Sequence, residues 1–223
     1  MQTLKNDVFG RLMWKQDFGG HQFTYGYNWS GLIATQTGTS GQNISYSYYD
    51  NGYLRKVVDQ GTKTESTYEY DNNGNRVFEG FKSTEGGAAM VFQQSRVEYD
   101  AFNRVKKIDD ARYVIEYDYD ANGNRRRVRS SYINVVNGNR DVQEYWYAYD
   151  AMNRFTVTMG QLVNGQIVRG SSGDGVAVEY NNAGERTAAT YANDGHREDY
   201  AYDGAGNMTT MKIDGVLRSR RTN

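Results

Sequence analysis

The sequence predicts an all-β protein: an antiparallel array of β-hairpin repeats that forms a curved or spiralling sheet. Three observations predict it. A short motif of tyrosine followed by aspartate or asparagine recurs along the chain, side chains alternate in character before each copy, and a Gly- and Asn-rich turn follows each copy. No segment shows a sustained apolar period of 3.6 residues, so we expect little or no helix.

The repeated motif is the strongest signal in the sequence. Two copies carry Asn at the second position, at Tyr27-Asn28 and Tyr180-Asn181, and a degenerate first copy begins at Asn6. The anchors lie near residues 6, 27, 49, 70, 99, 119, 149, 180 and 202. A base spacing of about 21 residues, with additions of about ten, is typical of hairpins of variable length on one scaffold. We therefore predict that residues 1–223 form a single array of about nine repeats, without a separate toxin or catalytic domain.

The motif residues are predicted to be structural. Tyrosine suits a strand face, Asp and Asn accept local backbone hydrogen bonds in turns, and Gly supplies a positive φ. The predicted structural positions are Tyr49, Asp50, Tyr70, Asp71, Gly74, Arg76, Tyr99, Asp100, Arg104, Tyr119, Asp120, Gly123, Arg125, Tyr149, Asp150, Arg154, Tyr180, Tyr202 and Asp203. We expect the recurrent arginine after each turn to bond the Asp or Tyr of a neighbouring repeat.

The segments between the turns have the pattern of β-strands. Tyr145, Tyr147 and Tyr149 occupy alternate positions, so a strand places them on one face. The longer insertions carry hairpin signals of their own, Asn137-Gly138 and Asn164-Gly165, because Asn-Gly fits the tight turns that match strand twist.

Taken together, these tandem copies resemble the RHS/YD-repeat family, which includes bacterial polymorphic toxins, the C components of insecticidal toxin complexes, and animal teneurins. The resemblance runs from Asn6 to Asn207. It implies a long β-sheet that spirals into a hollow shell and often encloses a toxic C-terminal segment. It also implies a secreted or cell-surface location, although residues 1–14 lack the apolar run of a signal peptide.

One departure from the family pattern affects what the resemblance implies. Toxin-bearing members end the shell with a Pro- and Asp-rich core motif that leads to self-cleavage, and this chain contains no Pro. Residues 208–223 are typical of one more strand and a basic tail. We therefore expect a piece of a shell wall or a small relative, whose partners are the remainder of a larger shell or its enclosed toxin segment.

The composition favours folded β-structure over disorder. Leu, Ile, Val and Phe account for roughly a sixth of the chain, but the net charge is only -1 and aromatic residues make up 14 %. The apolar surface is carried by 20 tyrosines, so we expect a thin, partly solvated core. The near-zero net charge disfavours nucleic acid as a partner, and no apolar run is long enough for a membrane span.

Catalytic and metal chemistry have little support in the sequence. The chain has no Cys, no Gly-x-Ser-x-Gly elbow, and two histidines in unrelated contexts, His21 and His196. The stretch from Asp118 to Gly123 matches the first half of an EF-hand loop, but Arg129 stands where the bidentate glutamate is needed. We expect no enzyme activity, no cofactor and no metal site, and we expect the arginines at 125–129 to pair with acidic residues across strands.

The leading functional hypothesis is therefore a structural one, a β-shell scaffold that encapsulates or displays a toxin or effector segment. The alternative is a carbohydrate-binding or cell-surface adhesion module, in which Tyr145, Tyr147 and Tyr149 form a ligand-facing aromatic ladder. A third hypothesis, a hidden enzyme, would depend on His21 and His196. An array that does not close on itself also exposes open sheet edges, so we expect self-association.

Overall fold

Every strand of the protein pairs antiparallel to its neighbours. The computed structural model describes residues 2–83, 85, 90–170 and 175–220, and over these residues the chain forms twenty strands and no α-helix. The all-β antiparallel prediction is therefore confirmed. Within the same residues, no helix has the length and apolar character needed to cross a membrane. The chain falls into two units, Met1–Arg112 and Tyr113–Asn223.

The first unit is a meander in which each of the first nine described strands pairs with the next. Its strands are β1 (Thr3–Asn6), β2 (Leu12–Gln16), β3 (Gln22–Tyr27), β4 (Ile33–Gly38), β5 (Asn43–Tyr48), β6 (Leu54–Asp59), β7 (Thr64–Tyr70), β8 (Arg76–Ser83), β9 (Met90–Tyr99) and β10 (Val105–Asp110).

The second unit also has ten strands, one of which lies to the side of the meander. It contains β11 (Tyr113–Tyr119), β12 (Arg125–Ile133), β13 (Arg140–Tyr149), β14 (Phe155–Val163), β15 (Gln166–Val168), β16 (Val176–Tyr180), β17 (Arg186–Tyr191), β18 (Arg197–Tyr202), β19 (Met208–Ile213) and β20 (Val216–Arg220). β14 pairs with β15 near its end and with β16 nearer its start, so β15 is a short lateral hairpin at Asn164-Gly165.

A register shift recurs where a strand enters a repeat turn. In β3, Tyr27 lies opposite Ile33, whereas the preceding Gly26 lies opposite Thr35, so Ala34 is the extra residue of a bulge. The same shift occurs at Tyr70, Tyr119 and Tyr202. Bulges bend a strand and increase its local twist, so each one bends the strand that leaves the turn.

The interior is thin, as the composition predicts. The buried apolar residues of the described chain are small ones, Val157, Ala188, Ala189 and Ala192, and no large side chain is fully buried there. Stability must therefore depend on backbone pairing, half-buried tyrosines and the polar contacts of the turns rather than on a large apolar core.

Candidate functional site

Nine turns of one design follow the repeat motifs and join pairs of strands along the described chain. Each turn has five residues, numbered here as positions 1 to 5. The N–H of position 1 donates to the carbonyl of position 5 at 2.8–3.0 Å, and the N–H of position 4 donates to the carbonyl of position 1 at 2.9–3.1 Å. Position 1 is residue 7, 28, 49, 71, 100, 120, 150, 181 or 203.

The aspartate at position 1 holds the turn together. In the turn at 150–154, Oδ1 of Asp150 accepts the N–H groups of Met152 at 2.9 Å and Arg154 at 3.0 Å, and Oδ2 accepts Nε of Arg154 at 2.7 Å. The side-chain and backbone hydrogen bonds from Arg154 lower the pKa of Asp150 below its ordinary value. The aspartates at position 1 therefore cap their turns.

Position 4 requires a positive φ. Glycine meets this need in most turns, including Gly74 at +85° and Gly123 at +87°, because it has no Cβ to clash. Asn103 at +59° and Asn153 at +60° fill the position in two turns. These two asparagines also link neighbouring turns: Oδ1 of Asn153 accepts the side-chain amides of Asn122 at 3.2 Å and Asn124 at 2.8 Å.

The arginines belong to two classes that the sequence reasoning merged. Arg11, Arg104 and Arg154 occupy position 5 and bind the aspartate of their own turn, with Nε–Oδ2 distances of 2.7 Å. The aspartate that each of these three arginines binds is the one of its own turn. The guanidinium groups of Arg11 and Arg154 do reach the next repeat's tyrosine ring, at 4.5 Å from Tyr27 and 4.2 Å from Tyr180.

The second arginine class follows position 5 and begins a strand. Arg76, Arg125 and Arg186 lie over tyrosine rings at 5.5, 5.5 and 4.6 Å, respectively. Their backbone carbonyls have a further role, because each accepts a hydrogen bond from a tyrosine of the next repeat.

This inter-repeat bond is a recurrent feature that sequence reasoning missed. The tyrosine before position 1 donates its hydroxyl to the carbonyl of the residue after position 5 in the preceding repeat, at 2.7–3.1 Å. The five pairs are Tyr27–Leu12, Tyr48–Ile33, Tyr99–Arg76, Tyr149–Arg125 and Tyr202–Arg186. We call it the tyrosine latch. Each of the five latch tyrosines lies at a register shift.

The third anchor lies one residue earlier than the sequence placed it. Tyr48 makes the latch and lies opposite Leu54, and Tyr49 occupies position 1, where the other turns have Asp or Asn. Asp50 is therefore at the tip of the turn and caps nothing. Among the remaining predicted residues, Asp71, Asp100, Asp120 and Asp203 occupy position 1 of their turns.

Two further turns of the same geometry were missed, at residues 17–21 and 38–42. Asp17 donates its N–H to the carbonyl of His21 at 2.9 Å, and its Oδ1 accepts the N–H of His21 at 2.9 Å. Gly20 supplies the positive φ, +84°. The signal of the first of these turns was present in the sequence, an aspartate three residues before a glycine, but no tyrosine precedes it.

The proposed aromatic ladder is partly engaged within the sheet. The ring of Tyr149 packs on Phe155 with centroids 4.6 Å apart, and its hydroxyl forms the latch with Arg125. Tyr147 lies 6.1 Å from Phe155 and 5.9 Å from the guanidinium of Arg125. Burial raises the pKa of Tyr147 and Tyr149. These two rings therefore contribute to packing between repeats.

The charged residues that suggested other chemistry are paired. Arg127 and Arg129 bind Asp118 and Glu116, their direct cross-strand neighbours, both at 2.8 Å, which confirms the predicted pairing. His196 contacts Asp194 at 2.7 Å and stacks on Tyr191 at 4.2 Å. No group of three or more potential metal ligands lies together in the described residues.

Removing one latch hydroxyl should destabilise the protein measurably. We expect Tyr48→Phe to lower the free energy of unfolding by about 1 kcal/mol, because the carbonyl of Ile33 loses its partner at 2.7 Å. Urea unfolding followed by circular dichroism measures the change. Tyr132→Phe is the matched control, because that ring is 36 % exposed and lies outside any latch. Equal losses in the two variants would show that the latch contributes nothing.

The fold is similar to that of solved Tc toxin structures. The structure of TcdB2-TccC3-Cdc42 matches with a TM-score of 0.59 and 15 % identity over 95 % of this chain. TcdB2-TccC3 alone gives a TM-score of 0.59 at 16 %, also over 95 %, and the Photorhabdus luminescens Tc holotoxin pore gives 0.57 at 16 % over 94 %. The chain spans only 13–14 % of those chains. No protein-family model matches the sequence, and no curated protein does.

Proposed function

We propose that this chain is a structural scaffold, a section of the β-wall of an RHS/YD-type shell that encloses or displays a toxin or effector segment. The observation that carries the proposal is the tyrosine latch. At five places in the described chain it joins a repeat to a backbone carbonyl of the one before it, so the same contact can add one hairpin after another without a closing partner.

The strand edges support the same role. β1 pairs with β2 and β20 pairs with β19, and no second neighbour of either strand appears in the described residues. Unpaired strand edges present rows of free N–H and C=O groups, which favour pairing with further strands. The remainder of a larger shell is the partner we propose for these edges, and a second copy of the chain would use the same groups.

The role is proposed as non-catalytic. Its support is that the residues expected to bear any chemistry are used in turns. His21 contacts Asp17 of its own turn at 3.2 Å, and the position-1 aspartates are held by two backbone N–H groups and the residue at position 5. Such carboxylates are oriented into their own loops rather than towards a substrate. Export to the cell surface or medium belongs to the same proposal and is supported by the family resemblance.

Small-angle X-ray scattering with simultaneous mass determination tests the scaffold proposal. A closed globule of this length has a radius of gyration of roughly 17 Å. We expect a clearly larger value at monomer mass, or an oligomer formed through the strand edges, because an open wall extends with the number of repeats. A monomer with a radius near 17 Å would contradict the proposal, since the repeats would then fold onto themselves.

A further inference from the structure

The third repeat turn, residues 49–53, breaks the pattern of its neighbours. In the other repeat turns position 1 is Asp or Asn. Here the two capping positions carry tyrosines, Tyr49 and Tyr53. The aspartate of the motif is displaced to the tip as Asp50. Two aromatic rings therefore occupy positions 1 and 5. The backbone hydrogen bonds of this turn are the same as those of the other turns, so they do not require the rings.

These rings form a cluster with the tyrosine of the next repeat. The ring of Tyr53 lies 4.9 Å from that of Tyr70 at a tilt of 40°, and Tyr49 meets Tyr70 edge-on at 6.2 Å. The hydroxyl of Tyr49 donates to the carbonyl of Tyr68 at 3.0 Å. Tyr53 is 40 % exposed, so the cluster opens to solvent on one side.

The next turn makes room for Tyr53. A Cβ on Gly74 would lie 2.4 Å from the hydroxyl oxygen of Tyr53, so the tip of this ring lies directly against the next turn. The ring thus spans two successive turns.

Several polar groups at this cluster have no partner within the described chain. They are the carboxylate of Asp50 and the hydroxyls of Tyr53 and Tyr70; Tyr70 is thus an anchor tyrosine without the latch. Asn51 uses Oδ1 to accept the N–H of Tyr53 at 3.1 Å, which leaves its amide N–H groups available. The exposed aromatic face is therefore surrounded by the carboxylate acceptors of Asp50, the amide donor of Asn51 and two tyrosine hydroxyls.

The cluster lines a cleft of about 500 Å³ between the third and fourth turns, which Asn72, Glu69 and Asp71 complete. A second cleft of about 580 Å³ lies on the other side of the same turn tip and shares Tyr49, Asp50 and Asn51 with the first. Clefts of this size accommodate small-molecule ligands. The two adjoining clefts suit a ligand with more than one ring.

We propose that the cleft between the third and fourth turns binds a neutral sugar residue of an oligosaccharide. The apolar face of the sugar ring stacks on Tyr53. Its hydroxyls donate to the carboxylate of Asp50 and accept from the amide of Asn51, because a sugar hydroxyl is both donor and acceptor. This inference goes beyond the scaffold role and does not depend on it.

The charges of the cleft select the ligand class. Asp50, Glu69 and Asp71 disfavour anionic sugars. An organic cation would have to share the cluster with the guanidinium of Arg55, which already lies over Tyr49 at 5.6 Å. A neutral ligand rich in hydroxyl groups fits both constraints.

Titration of the full chain with soluble trisaccharides tests the proposal. The neutral probes are maltotriose, cellotriose and triacetylchitotriose, sialyllactose is the anionic probe, and tetramethylammonium is the cationic one. We expect saturable calorimetric binding of at least one neutral probe. Tyr53→Ala and Asp50→Ala should each weaken it by about tenfold or more, as truncating a central contact does. Tyr132→Ala is the matched control and should leave the affinity unchanged.

Each other result contradicts the proposal. Binding of none of the neutral probes, or binding only of sialyllactose or tetramethylammonium, would exclude a neutral-sugar site. Binding that persists in Asp50→Ala would place the site elsewhere. That variant keeps the comparison valid even if Tyr53→Ala unfolds, because the Asp50 side chain is exposed and makes no contact that the fold needs. The scattering experiment tests the scaffold role alone, and either of its outcomes leaves the test of the sugar site unaffected.

Discussion

Replacing Gly61 by alanine is expected to lower the free energy of unfolding by about 1–3 kcal/mol, the usual range for overpacking a tight contact. Gly61 lies in the turn after β6, and a Cβ there would stand 2.1 Å from the carbonyl oxygen of Gly41, in the turn after β4. Because the obstructing atom belongs to the backbone, one of the two turns must move.

Gly204→Ala is the matched control for Gly61→Ala. Gly204 has nothing within 4 Å of an added Cβ and no positive φ, so alanine should change stability by less than about 0.5 kcal/mol. Urea unfolding of both variants measures the difference. If Gly61→Ala were as stable as Gly204→Ala, the close approach of the two turns would not exist in solution.

The second large effect is expected at high pH. Burial, together with the hydrogen bond that its hydroxyl donates to Glu198, raises the pKa of Tyr200 to about 12. Burial also raises the pKa of six other tyrosines, Tyr46, Tyr48, Tyr70, Tyr147, Tyr149 and Tyr191. In the unfolded chain, tyrosines ionise near pH 10.

The sign of the effect follows from proton binding. Above pH about 10 the unfolded chain releases phenolic protons that the folded chain still holds, so stability falls as pH rises. The contribution of Tyr200 is complete below pH about 10 and is lost as the pH approaches about 12. The aromatic sheet should therefore unfold cooperatively in this alkaline window.

Urea unfolding at pH 9, 10 and 11, with tyrosinate absorbance as a second probe, measures the alkaline effect. Tyr200→Phe should be less stable than the parent at pH 9, because Glu198 and Arg186 lose their contacts to the hydroxyl. It should nevertheless lose less stability between pH 9 and pH 11. An identical pH dependence in the two proteins would rule out Tyr200 as a contributor.

Much of the fold could be predicted from the sequence because its determinants are local. The period of two specifies strands, and an aspartate three residues before a glycine specifies the turn. The third turn shows how the second rule sets the register. Tyr48-Tyr49-Asp50-Asn51-Gly52 contains a Tyr-Asp pair, but counting three residues back from Gly52, whose φ is +87°, gives Tyr49 as position 1. The positive φ of the glycine, rather than the place of the aspartate in the sequence, therefore decides which residue occupies position 1.

The contacts between repeats could not be predicted in the same way. The latch from Tyr149 to Arg125 depends on a bulge whose position is set by strand pairing and not by local sequence. The cluster of Tyr49, Tyr53 and Tyr70 joins residues from two hairpins, and its cleft is visible only after both are paired. The sequence analysis placed the ligand-facing rings at Tyr145, Tyr147 and Tyr149, because alternation identifies which side chains share a face but not which face is free of contacts.

The tyrosine latch has a consequence for how such a chain can change during evolution. The residues it joins are 15 apart in sequence for Tyr48 and Ile33, and 24 apart for Tyr149 and Arg125, yet the bond lengths are 2.7 and 2.9 Å. Insertions between those residues lengthen a hairpin at its far end and leave the bonded seam intact. The latched end of each such hairpin is therefore fixed against the preceding repeat, whereas its far end is free to acquire and lose residues. New loops and new specificities can accumulate at the far end without disturbing the assembly of the repeats.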